Sequence, residues 1–195
     1  MFQTTTGIRA KEVHKLIKAC QKKEEDALER MYGFLYNDLM LIAVRYQSSQ
    51  EDAEEACNDS YLKIISKLKY YKPTSSFKAW AKKVAINHNI DLFRTKNTKK
   101  IEMNNGELKD HHGAQSRNAA DEQFDADLLI RLIQELPELE RQVFNLFAID
   151  GYKHQEISEM LKFPVGTSKS LLHHARKKLK DKLAKYQQQQ AILTS

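Results

Sequence analysis

Residues 154–183 read HQEISEMLKFPVGTSKSLLHHARKKLKDKL, and this stretch decides the fold. Ile157 and Leu161 stand four apart and mark a short helix. Lys162-Phe163 makes a turn. Pro164 opens a second helix, running to about Leu183, with Leu171, Leu172, Ala175 and Leu179 turned inward. A two-turn helix, a tight turn and a longer basic helix are the ingredients of a helix-turn-helix. Between Lys162 and Lys185 there are eight bases and one acid, Asp181. In such a motif the first turns of the second helix enter the major groove of duplex DNA. Thr167, Ser168, Lys169 and Ser170 are therefore the candidates for base edges or phosphates, and Arg176, Lys177 and Lys180 for phosphates. His173 and His174 are adjacent and point apart on a helix, so they form no metal pair.

Working outward, Leu128, Leu132 and Leu136 give one apolar face. Pro137 starts the next helix, where its missing N–H costs nothing. Leu139, Val143, Leu146 and Phe147 line that helix, and Gly151 suits its C-terminal cap. These elements make a module over 123–186, followed by a short biased tail, 187–195, expected to be flexible. Before the module, residues 96–122 are polar and read as a flexible linker. Residues 10–95 form a second helical zone. Its helices are expected at Lys11 to Lys22, Glu24 to Tyr46, Gln50 to Lys69 and Phe77 to about Arg94, the last with Ser75 or Ser76 as its cap. The expected fold class is all-α: two small helical domains joined by a polar linker.

Charge is segregated in the first zone. Glu51, Asp52, Glu54, Glu55 and Asp59 crowd one helix without a base. Glu51 and Asp52 suit the start of a helix dipole. Asp59 lies two turns in, and Asp52, Glu55 and Asp59, spaced three and four, share a face. From Ser60 to Lys100 there are eleven bases and one acid, Asp91. Lys83, Asn87, Asp91 and Arg94 share a face of the Phe77 helix; Lys78, Lys82, Lys96, Lys99 and Lys100 add phosphate-directed charge. Tyr70, Tyr71, Phe77 and Trp80 lie among these bases, a mixture suited to single-stranded or melted DNA. Phe77 and Trp80 fit the core stripe, so Tyr70 and Tyr71 are the better candidates for exposure. An acidic face beside a basic one points to two partners, a basic protein surface and nucleic acid.

Other classes lack support. With 6 Gly and 3 Pro in 195 residues, few positions can punctuate hairpins, which favours helices. No apolar run approaches the roughly 18 residues that span a bilayer, and the first residues carry no apolar signal core, so a cytoplasmic protein is expected. Cys20 and Cys57 form no CxxC and read as ordinary buried thiols. Metal-ligand clusters, a phosphate-binding glycine loop and a nucleophile–base pairing are all missing from the sequence, so neither a cofactor nor an enzymatic activity is expected. The net charge of +6 agrees with a nucleic-acid partner but is informative only through its placement.

Two separated stretches match one family in order. EDAEEACNDSYLKIISKLKYY and SSFKAWAKKVAINHNIDLFR resemble region two of sigma factors. LIQELPELERQVFNLFAIDGYKHQEISEMLKFPVGTSKSLLHHARKKL resembles region four. The lack of further globular segments resembles the extracytoplasmic-function (ECF) group of the sigma-70 family. The resemblance implies that Asp52, Glu55 and Asp59 dock on the clamp helices of RNA polymerase core, built from its beta and beta-prime subunits. It implies that Tyr70, Tyr71, Ser75, Ser76, Lys83, Asn87 and Arg94 handle the proximal promoter element as its strands open. Asn87, in AIN where the family has ARN, would help hold a flipped base. Thr167, Ser168, Lys169, Ser170, Arg176 and Lys177 would read the distal, duplex element. An anti-sigma factor is a further partner that the resemblance admits.

Departures from the family pattern concentrate in region four. Lys162 stands where glycine is usual, Ser168 where Val is frequent, and Leu171 and His174 where Arg is frequent; Asn58 replaces a usual Gln. A left-handed Lys162 would cost about 1 kcal/mol. The competing reading is a free-standing helix-turn-helix regulator with an N-terminal dimerisation or sensor domain. The two-face charge split argues against it.

Overall fold

Every regular element among the described residues is helical, because the apolar residues recur at helical spacing and few residues interrupt it. The computed structural model describes residues 10–72, 76–103 and 124–193. The helices are α1 (Ala10–Gln21), α2 (Glu25–Tyr46), α3 (Gln50–Lys67), α4 (Phe77–Met103), α5 (Phe124–Gln134), α6 (Glu138–Phe144), α7 (His154–Leu161) and α8 (Val165–Leu193). A 3-10 turn, Leu68–Tyr70, follows α3, and a π-helical turn, Asn145–Ile149, follows α6. The chain forms two compact units: residues up to Ala43 with Gln50–Asp91, and Val44–Ser49 with the chain from Leu92 onward.

The first unit is built on the inner stripe of α2. Met31, Leu35 and Leu39 recur every four residues and are at most 1% exposed. Burial of each stabilises by about 1.5–3 kcal/mol. Ala53, Ala56, Cys57 and Ile64 of α3 are fully enclosed; the alanines allow the helix backbones to approach closely. Both cysteines are free and buried, as the sequence suggests. Burial pushes the Cys57 thiol up to about 11. The buried side of α4 is Phe77, Ala81, Ala85, Ile86 and Ile90. Trp80, which fits the sequence stripe, is only half-buried.

The second unit holds the helix-turn-helix. Leu132, Ile133 and Leu136 of α5 pack with Ala175 and Leu179 of α8. Val143, Leu146, Ile157 and Leu161 are enclosed beside them. Lys178 of α8 holds Glu140 of α6 at 2.7 Å, and Lys182 pairs with Glu135, so two of the basic residues of α8 clamp the unit together. Asp150 takes Arg45 at 3.1 Å and the Tyr46 hydroxyl at 2.7 Å. Asn145 and Gln142 donate to the carbonyls of Arg45 and Tyr46. These polar side chains are buried because they have partners.

Helix ends follow the sequence in two places and depart in two. Gly151 has φ +78, fitting a cap that needs the left-handed region. Lys162 ends α7 at φ 60, ψ 44, with its N–H on the Ser158 carbonyl at 2.9 Å. A Cβ is strained there, so Lys162→Gly is expected to raise stability by about 1 kcal/mol. A chemical-denaturation midpoint that does not rise would contradict this. By contrast, α4 does not end near Arg94 but continues to Met103, into the stretch read as linker. Residues 96–103, KNTKKIEM, contain no Gly or Pro, and polarity alone does not break a helix. The rest of that linker, 104–122, lies outside the described residues. Likewise α8 runs to Leu193 rather than stopping near Leu183, through a tail expected to be flexible. Gln is a good helix former, and Gln190 donates to the Tyr186 hydroxyl one turn back at 2.8 Å.

Candidate functional site

Three surfaces carry the residues that sequence reasoning singled out. The acidic one lies on α3. Glu55 is exposed, and Asp52 and Asp59 are half-exposed, on a helix whose opposite side, Ala53, Ala56, Cys57 and Ser60, is sealed. Asp59 approaches His88 Nε2 of α4 at 3.7 Å. Burial holds the His88 imidazole below its usual value, so at neutral pH it gives Asp59 no cationic partner. Asn58 accepts from the Tyr32 hydroxyl at 2.8 Å, which ties it to α2.

The second surface runs from the 3-10 turn along α4. Tyr70 is 69% exposed, with Lys69 over its ring at 4.9 Å. Tyr71 is not its equal. It is half-buried and packs on Phe77 and Trp80, both at 5.2 Å between ring centroids. Aromatic rings gain more from such contacts than from water, which draws Tyr71 inward. Ser76 is exposed and its carbonyl accepts the Trp80 N–H at 3.0 Å; Ser75 lies outside the described residues. Lys83, Asn87 and Arg94 are all exposed, as their spacing along one face requires. Lys78 and Lys82 are drawn elsewhere. Both close on Asp38, at 2.8 and 2.9 Å, and Lys78 also lies over Phe34. Despite partial burial, the two ammonium groups hold the Asp38 carboxyl below its usual value.

The third surface is the front of the helix-turn-helix. Thr167, Lys169, Ser170, Arg176 and Lys177 are exposed. Ser168 is not: it is 0% exposed and its hydroxyl lies 2.8 Å from His154 Nδ1. A base-reading role for Ser168 is therefore corrected to a packing role. The signal was present in the sequence, since Ser168, Leu172, Ala175 and Leu179 follow the four-three-four spacing of the inner stripe. Sequence reasoning missed His154. Its ring stacks on Phe147 at 4.4 Å and 22°, and Arg176 lies over the other part of that cluster, 5.6 Å from the Phe147 centroid. Burial, then Lys169 and Arg176, keep the His154 imidazole below its usual value. Among the described residues no group of His, Cys, Asp and Glu is arranged to hold a metal ion, and no helix is long and apolar enough to cross a membrane.

The comparisons with known proteins agree with this geometry. The family model for sigma-70 region 2 matches residues 31–98, and that for sigma-70 region 4 matches residues 126–179, together more than half of the chain. The chain is similar to the ECF RNA polymerase sigma factor SigW of Bacillus subtilis, 25% identical over 182 residues that cover 88% of this chain and 96% of that one. It is also similar to the ECF RNA polymerase sigma factor SigE of Mycolicibacterium smegmatis, 28% identical over 154 residues and 77% of this chain. There it spans 59% of the relative's length. A solved sigma factor RpoE, in complex with the anti-sigma factor NepR from Bartonella quintana, aligns with TM-score 0.51 at 18% identity. It covers 80% of this chain and 96% of its own, a likeness of fold.

Proposed function

Since this chain belongs to the sigma-70 family, in its ECF group, we propose that it binds RNA polymerase core and directs promoter-specific initiation of transcription as an alternative sigma factor. The observation that carries this reading is one chain bearing three separate faces: acidic on α3, basic and aromatic from Tyr70 along α4, and basic on α8. In this reading Asp52, Glu55 and Asp59 meet a basic surface of the core polymerase. Tyr70, Lys83, Asn87 and Arg94 take the proximal promoter element as it opens, Tyr70 by stacking on an unpaired base and Asn87 by hydrogen bonds to a flipped one. Thr167, Lys169 and Ser170 read the distal element in the major groove, and Arg176 and Lys177 hold its phosphates. The protein itself does no chemistry; polymerase makes the RNA. It works where polymerase works, in the cytoplasm, and an anti-sigma factor is its natural antagonist. A free-standing regulator would need only one DNA surface and no acidic docking face.

Core polymerase mixed with this protein on genomic DNA is expected to start transcripts at a restricted set of sites, mapped by sequencing their 5′ ends. If the start sites match those made by core alone, the proposal fails.

A further inference from the structure

The cluster around His154 is unlike a plain packing contact. The Ser168 hydroxyl is fully buried and its side-chain partner is His154 Nδ1, at 2.8 Å. A buried hydroxyl needs an acceptor. While the ring is neutral, Ser168 donates to Nδ1, and the ring proton is left on Nε2. When the ring is protonated, Nδ1 donates instead and the same hydroxyl accepts. Serine can do both, so the ring keeps one orientation through its titration; valine or alanine could do neither. Phe147 holds the ring's face by stacking. Nε2 has no protein partner among the described residues and is not a sealed atom, so it opens outward.

The groups around it are cationic. From α8, Lys169 and Arg176 act on the ring. On α7 the nearest acid, Glu156, is turned back onto the Lys153 N–H at 2.8 Å, and the π turn contributes the uncharged Phe147. His154 and Arg176 thus share the Phe147 ring, and Lys169 is exposed on the same helix as Arg176. Such positive surroundings suit a phosphate oxygen that meets the outward Nε2.

We propose that His154 is a proton-linked phosphate contact of the helix-turn-helix, held in position by Ser168, so that duplex DNA is gripped more tightly as pH falls. This rests on the reading of α8 as a duplex-reading helix. In the free protein the ring sits below its usual value and is neutral at physiological pH. A phosphate beside it favours the charged form and raises that value. Binding then takes up a proton in the window between the free and the bound value, and affinity rises as pH falls through that window.

The test is fluorescence anisotropy of the full-length protein on a mixed-sequence 30-base-pair duplex probe at several pH values. Wild-type affinity is expected to rise about fivefold more between pH 8 and pH 6 than that of His154→Gln. Ser168→Ala, which keeps the imidazole but frees its orientation, should fall between them. In parallel, the His154 ring resonances should titrate at higher pH with the duplex than without it. Superimposable pH profiles for wild type and His154→Gln, or a ring titration unmoved by DNA, overturn the proposal and leave the duplex-reading function standing. Failure of the wild type to bind the duplex at any pH overturns both.

Discussion

Replacing Asp52 and Glu55 together by lysine is expected to weaken binding to core polymerase by about a hundredfold, because two attractions become two repulsions and like charges brought together cost several kcal/mol. The same change should leave duplex DNA affinity within about twofold, since the basic face of α8 belongs to the other unit. One confounding effect can be separated. Asp52 lies in the first turn of α3, where reversal also works against the helix dipole by about 0.3–1 kcal/mol. Asp52→Asn with Glu55→Gln removes most of that penalty and should still cost about tenfold in polymerase affinity. Equal loss in the polymerase and duplex assays would refute the division of labour between the faces. Salt supplies a further check, because an interface of exposed charges weakens as ionic strength rises.

Asn87→Ala is expected to reduce promoter opening by about tenfold or more, read as the fluorescence of a 2-aminopurine placed in the proximal element. A flipped base that loses its hydrogen bonds forfeits about 1–3 kcal/mol. Asn87 is exposed, so unfolding free energy should change by no more than about 0.5 kcal/mol. Asn89, two residues on, is the contrasting control. It is 1% exposed and donates to the Ala85 carbonyl at 2.9 Å, so Asn89→Ala should act through stability. If both variants lose opening only in proportion to lost stability, Asn87 has no direct part in holding a base.

The contrast between those two asparagines shows what the sequence could and could not convey. Exposed faces were legible wherever they followed from spacing: Lys83, Asn87 and Arg94, and the acidic side of α3, fall where a 3.6-residue period puts them. The helix-turn-helix was legible because Pro164, the turn and the leucine stripe agree. Buried polar residues were not. Asn89, Gln142 and Asn145 look like surface until their partners are known, and those partners are backbone carbonyls. Ser168 fell between the cases: its register placed it inside, while its hydroxyl and the family pattern drew attention to the groove. Polar composition suggests irregular structure at the ends of α4 and α8, yet the helices continue because neither stretch contains a breaker.

The length of α8 has a practical side. Its 29 residues make a rod about 43 Å long, and Leu179 is the last buried side chain among those described. Lys182, one turn on, still pairs with Glu135, and from Leu183 to Gln190 the side chains are exposed or half-exposed. A dye, tether or surface anchor attached near Gln190 would sit about 35 Å along the axis from Thr167. The far end of α8 thus offers a handle by which single complexes can be held or watched at a distance from the turn proposed to face DNA.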